Sequence, residues 1–145
     1  MRLHLNDESD TQRLGERLAA IARPGDVLLL EGPLGAGKSS LARAFIRARL
    51  GDARLNVPSP SFTLVQCYET PDGGRIWHYD LWRLDGAAAM EELGWDEALA
   101  GIALVEWPDR LGALAPRAAW RLTLSFAGTG RMVEIEGDLR GFDAT

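Results

Sequence analysis

The segment Gly32-Pro33-Leu34-Gly35-Ala36-Gly37-Lys38-Ser39 carries the most sharply defined chemistry in the sequence. It matches G-x-x-x-x-G-K-[ST], a spacing in which glycines let backbone N–H groups turn inward around phosphate oxygens at a helix N-terminus. Lys38 is then expected to reach the β- and γ-phosphates of a nucleoside triphosphate, and the Ser39 hydroxyl to ligate Mg²⁺. A glycine-rich turn bearing a surface lysine is the bland alternative. Of 16 basic residues only Lys38 is lysine, so its place in this motif argues against that alternative.

Phosphoryl chemistry also needs an acid at the end of a neighbouring buried strand. Glu106 follows the apolar run Ile102-Ala103-Leu104-Val105 and is the expected metal-side carboxylate, against the plain reading of a strand-end surface acid. Asp80 lies in His78-Tyr79-Asp80-Leu81-Trp82-Arg83-Leu84, where strand alternation puts His78 and Asp80 on one face. Both are placed to line a site, although taken alone Asp80 reads as a turn cap and His78 as an ordinary half-buried strand residue. Ser59-Pro60-Ser61-Phe62-Thr63 is either a plain turn or a loop whose hydroxyls sense the γ-phosphate. Trp107-Pro108 is expected to leave its strand extended, with the indole as a packing anchor.

These residues need a scaffold, and the hydrophobic pattern supplies one. Met1–Leu5 alternates like a short edge strand, and a helix is expected from about Ser9 to Ala22 with Leu14, Leu18 and Ile21 on one face. Val27–Leu30 reads as a strand buried on both faces, running into the glycine-rich loop and a helix from Lys38 to Leu50 that Gly51 ends. That helix should bury Leu41, Phe45 and Ala48, with Arg43 and Arg47 on a solvated face. Phe62–Tyr68 and Arg75–Leu81 flank Pro71-Asp72-Gly73-Gly74 as a hairpin, and Trp120–Phe126 with Met132–Glu136 form another. Ala87–Leu93 and Asp96–Ala100 read as two short helices separated at Gly94. The expected fold is α/β: one three-layer P-loop-type domain over 1–145 with a mixed, partly antiparallel sheet.

Composition narrows the partners. At 145 residues and net charge −5, the chain is expected to be one unit whose field repels polyanions, so any nucleic acid is held through another protein. Cys67 is the single cysteine, which excludes an internal disulfide and points to a reducing, cytoplasmic setting. No segment approaches the roughly 18 apolar residues of a membrane span.

The loop, the Ser-Pro-Ser-Phe-Thr connector, His78–Leu84 and Val105-Glu106-Trp107-Pro108, in this order, resemble the bacterial TsaE family over nearly the whole chain. The resemblance implies an ATP-hydrolysing subunit that acts with TsaD and TsaB to make threonylcarbamoyladenosine beside the tRNA anticodon, touching tRNA only through that complex. It places Leu34, Gly35, Ala36, Gly37, Lys38, Ser39 and Ser40 around the phosphates of ATP, and Ser39 and Glu106 on Mg²⁺. Asp80 joins the metal and water network, so Lys38, Asp80 and Glu106 are the implied catalytic set. It also brings Arg131 to the nucleotide and the segment around Glu8 and Thr11 to the adenine. The family pattern has Asp at Pro33, Thr at Ser39 and Ser61, and Tyr at Trp82. Serine keeps the hydroxyl, whereas Pro33 removes a carboxylate and an N–H from the loop.

Two other functions share the loop. A P-loop small-molecule kinase would need an arginine-bearing lid, for which only the acidic stretch Leu84–Gly101 is available. A nucleotide-gated binding module would use ATP only to shape a surface.

Overall fold

The computed structural model describes residues 1–140 and 142; of the span 1–145 expected to form one unit, residues 141 and 143–145 lie outside the described residues. Among the described residues seven strands form one sheet in the order β1-β7-β6-β2-β5-β4-β3. They are β1 (Arg2–Leu5), β2 (Val27–Glu31), β3 (Val65–Glu69), β4 (Arg75–Asp80), β5 (Ile102–Glu106), β6 (Trp120–Ala127) and β7 (Gly130–Glu136). The centre is parallel, with β5 paired to both β2 and β4, and β2 also paired to β6. The flanks are antiparallel, β1 on β7, β6 on β7 and β3 on β4. The expected mixed sheet is present.

β2 and β5 sit at the centre because Val27-Leu28-Leu29-Leu30 and Ile102-Ala103-Leu104-Val105 have no polar face to offer water, and both runs are buried throughout. On one face lie α1 (Glu8–Ile21) and α2 (Lys38–Leu50). Asp7 caps α1 by accepting from the Asp10 N–H, so the helix begins at Glu8, one residue before the expected Ser9. The two helices approach closely at Gly15, where a Cβ would meet the Ala44 methyl at 2.6 Å. α2 buries Leu41, Phe45 and Ile46, while Ala48 is only partly buried. Phe45→Ala would cost about 3–5 kcal/mol by opening this layer. Gly51 ends the helix at φ 67° as expected.

Arg43 and Arg47 are not a simple solvated face. Arg43 donates to the Val57 carbonyl at 3.4 Å and Arg47 to that of Leu55 at 2.9 Å, tying the connector after α2 back onto the helix. Arginine has the reach and fixed donor geometry for this bracing.

The other face carries a thinner layer: a 3₁₀ segment at Ala87–Glu91, α3 (Trp95–Ala98) and 3₁₀ turns over Pro108–Leu114. Leu84, Met90, Trp95 and Ala98 are buried there against Tyr79, Val105 and Leu111. The Tyr79 hydroxyl donates to the Leu93 carbonyl at 2.9 Å and its ring meets Trp95 edge-on. The stretch Leu84–Gly101 is therefore a wall of the core. This packing leaves the kinase reading without the lid it requires.

The first hairpin begins later than its alternation implies. Leu64 adopts φ 69°, its N–H donates to the Pro60 carbonyl at 2.8 Å, and its carbonyl accepts the Asp80 N–H at 3.0 Å. Residues 61–64 thus form a turn that delivers the connector to the end of β4, and pairing starts at Val65. Among the described residues no helix is long and apolar enough to cross a membrane.

Candidate functional site

β2, β4 and β5 run parallel and end side by side, with Leu30 opposite Glu106 and Glu106 opposite Asp80 in register. Open parallel sheets bind ligands outside the carboxyl ends of their strands, and the loop Gly32–Ser39 emerges there from β2. Gly32, Gly35 and Gly37 take φ of 143°, 83° and 106°. A Cβ at Gly32 would stand 2.4 Å from the Leu124 carbonyl, so this corner accepts glycine alone.

A cleft of about 250 Å³ opens over these ends, lined by Leu34, Gly35, Gly37, Lys38, Ser39 and Ser40, with Ser59, Ser61, Asp80, Glu106 and Trp107 opposite. Ala36 contributes only backbone to the loop, because its methyl is fully buried in the core beneath it. Pro33 is exposed, and its carbonyl closes the loop by accepting the Ala36 N–H at 3.1 Å.

Lys38 is buried, and its Nζ donates to the Gly32 carbonyl and, at 3.4 Å, to that of Pro33. The ammonium also lies 3.5 Å from the centroid of a Trp107 ring. Burial pulls its pKa below the usual lysine value, and the charges of Glu106, Asp80 and Asp109 pull it back part of the way. A cation held at a deficit of counter-charge is suited to an anionic ligand.

The Ser39 hydroxyl donates to Oε1 of Glu106 at 2.8 Å, and Oε2 of Glu106 is 2.7 Å from Nε2 of His78. Asp80 is oriented on both oxygens: Oδ1 accepts the Trp82 N–H at 3.1 Å and Oδ2 the Ser59 hydroxyl at 3.2 Å. Ser61 donates to Ser59 at 3.3 Å, so the connector reaches Asp80 through a pair of hydroxyls and forms a wall of the cleft.

Trp107 departs from expectation. It does not leave β5 extended but turns at φ 58° and ψ 53° into Pro108. Such a conformation costs of order 1–3 kcal/mol and directs the half-buried ring over Lys38 and against Trp82, 4.4 Å between centroids. The indole is a wall of the cleft.

A second hollow of about 190 Å³ adjoins the first through Gly35, Gly37 and Ser40 and is lined by Glu8, Thr11, Thr129, Gly130 and Arg131. The residues expected at the adenine thus meet beside the loop. Arg131 donates to the Gly35 carbonyl at 3.2 Å and stacks on Phe126, bracing the loop from β7.

The donor set suits a hard cation. Among the described residues no three His, Cys, Asp or Glu side chains form a closed metal cage. One hydroxyl and two nearby carboxylates match Mg²⁺, which takes few protein ligands and completes its shell with phosphate oxygens and water.

The family described as Threonylcarbamoyl adenosine biosynthesis protein TsaE matches residues 5–133. The chain belongs to the TsaE family. It is 43% identical over 108 residues to a Rickettsia felis protein named for tRNA threonylcarbamoyladenosine biosynthesis, covering 74% of this chain and 62% of that one. The corresponding Bacillus subtilis protein is 37% identical over 122 residues, covering 82% and 73%. The crystal structure of Bacillus subtilis YdiB is similar with a TM-score of 0.73 and 31% identity, over 92% of this chain and 82% of that one. The TsaE match spans every residue lining the two hollows.

Two contributors are legible only in part. Strand alternation puts His78 with Asp80 on a face that can line a site, but not in contact with Glu106; Trp107 reads as an anchor, and nothing local announces its left-handed turn.

Proposed function

We propose that this chain is an ATPase that binds ATP with Mg²⁺ in the cleft and drives a step of tRNA threonylcarbamoyladenosine biosynthesis. The observation that carries the reading is the hydroxyl–carboxylate pair Ser39–Glu106 next to Asp80, all at the strand ends that flank the only lysine. Family membership supports the biosynthetic role.

In this reading the loop amides and Lys38 hold the phosphates, and exchange of the Gly32 and Pro33 carbonyls for phosphate oxygens relieves the lysine's lack of counter-charge. Ser39 and Glu106 would hold Mg²⁺, which supplies neutralisation of the β- and γ-oxygens. Asp80 keeps free lone pairs and accepts a hydrogen bond from the water that attacks the γ-phosphorus. The bond from that phosphorus to the β–γ bridging oxygen breaks, ADP leaves with the oxygen, and the water's protons end on phosphate and solvent. Glu8, Thr11 and Arg131 border the base and sugar.

Hydrolysis is slow for the chain alone and faster with homologues of TsaD and TsaB, because phosphoryl transfer rests on positioning that a partner completes. tRNA is engaged through that complex, in keeping with the net charge of −5. Phosphate release measured with and without those partners tests this. Release that partners do not stimulate contradicts the cycle, and transfer of label to a small-molecule acceptor favours a kinase.

A further inference from the structure

His78 is buried to 1% exposure and Glu106 to 2%, and they meet at 2.7 Å from adjacent parallel strands. In the β4–β5 register His78 stands opposite Leu104 and Asp80 opposite Glu106, so the histidine lies one layer beneath the two carboxylates on their own face of the sheet. A carboxylate only accepts, which puts the shared proton on Nε2. The other ring nitrogen, Nδ1, is buried with no hydrogen-bond partner, so the ring's one polar contact is with Glu106. Ser39 occupies Oε1 and His78 occupies Oε2, and together they fix the rotation of the carboxylate.

We propose that His78 is a positioning residue: its Nε2–H holds Glu106 in the one orientation that aligns the Ser39 hydroxyl and presents both to the divalent cation. This rests on the reading of Ser39 and Glu106 as the cation's protein ligands. Without the ring, Oε2 is left buried and unpaired, and the carboxylate turns away from Ser39 to find another donor. Partners of metal-side groups in this position typically change metal affinity 10–100-fold when removed. The Nζ of Lys38 bonds to the Gly32 and Pro33 carbonyls and the His78 ring to Glu106, so nucleotide binding without metal is not expected to depend on the histidine.

The test uses Mn²⁺ as the probe, its binding followed by the loss of the free-ion electron paramagnetic resonance signal in the presence of ADP, and ADP binding in EDTA followed by calorimetry. His78→Leu is expected to weaken Mn²⁺ binding about tenfold or more and to leave ADP binding in EDTA within about twofold. His78→Gln, whose amide nitrogen reaches the position of Nε2, is expected to recover Mn²⁺ binding to within about threefold. Wild-type Mn²⁺ affinity in folded His78→Leu overturns the assignment, as does an equal loss in both measurements. Should the leucine variant not fold, His78→Asn replaces it: its amide falls short of Glu106, and an asparagine variant as good as the glutamine one also overturns the assignment. If the wild-type chain takes up ADP but no Mn²⁺, the metal reading of Ser39 and Glu106 falls together with the role of His78. Unaltered Mn²⁺ uptake by the leucine variant removes His78 alone.

Discussion

The Ser39 hydroxyl donates to Oε1 of Glu106 across 2.8 Å and 67 residues of sequence, joining the first turn of α2 to the end of β5. That bond makes the glycine-rich loop and the acid-bearing strand one unit. Ser39→Ala removes the hydroxyl while leaving the helix intact, since alanine is the best helix former. The variant is expected to bind ATP in EDTA as the wild type does and to lose most of the increase in affinity that Mg²⁺ brings. Calorimetric titration with and without Mg²⁺ checks this, and Ser39→Thr should retain the increase.

Lys38 separates stability from function. Its pKa is lowered chiefly by burial, so between the folded value and the ordinary 10.5 the unfolded chain binds more protons than the folded one. Stability contributed by this group therefore rises as pH rises through that window, and at pH 7 the charged lysine opposes folding. Lys38→Met is expected to have an unfolding midpoint at pH 7 no lower than the wild type, to lack this lysine's part of the rise toward pH 10, and to lose ATP affinity about tenfold or more. Denaturation followed at several pH values, with a binding titration, reads all three.

The left-handed turn at Trp107 gives a contrast between two small residues. Both Trp107→Ala and Trp107→Gly lose the stack on Trp82 and the contact with Lys38. Only alanine keeps the penalty for φ 58°. The glycine variant is expected to be the more stable of the two by about 0.5–1 kcal/mol in urea denaturation. Alanine equal to or better than glycine would show that the turn is not held in this conformation in solution.

These residues also show what a linear reading resolves. Val27–Leu30, Ile102–Val105 and the Lys38–Leu50 helix were legible because their periodicity states their burial without reference to anything distant. The glycines at 32, 35 and 37 were legible because the motif demands backbone conformations that other residues resist. The Leu64 turn, the Trp107 turn and the bracing by Arg43 and Arg47 were not, since each is set by a partner remote in sequence or by a conformation that its own residue type disfavours. His78 falls between these cases: alternation placed it beneath Asp80, but only the parallel pairing of β4 with β5 brings Glu106 to it.

Asp26 and Arg140 form a clasp between the end of α1 and the chain beyond β7. Both Asp26 oxygens accept from the guanidinium, at 2.7 and 2.8 Å, and the same arginine donates to the Ile21 carbonyl at 3.1 Å. Burial raises the Asp26 pKa, but the bonds from Arg140 and the Arg23 N–H outweigh it and hold the carboxyl below 3.8. The stability from this pair is thus present above pH 3.8 and is lost as pH falls through the lower folded value. Arg140→Ala is expected to lower the unfolding midpoint at pH 7 and to differ less from the wild type as pH drops below that range, by thermal denaturation.

Whether the cleft holds a nucleotide together with Mg²⁺ is decided by calorimetric titration of the folded wild-type chain with a non-hydrolysable ATP analogue, with Mg²⁺ and in EDTA. Saturable binding of one nucleotide is expected, tighter with Mg²⁺, with loss of that Mg²⁺ effect in Ser39→Ala. No uptake with Mg²⁺ present, or uptake that is indifferent to Mg²⁺, overturns the assignment of the cleft.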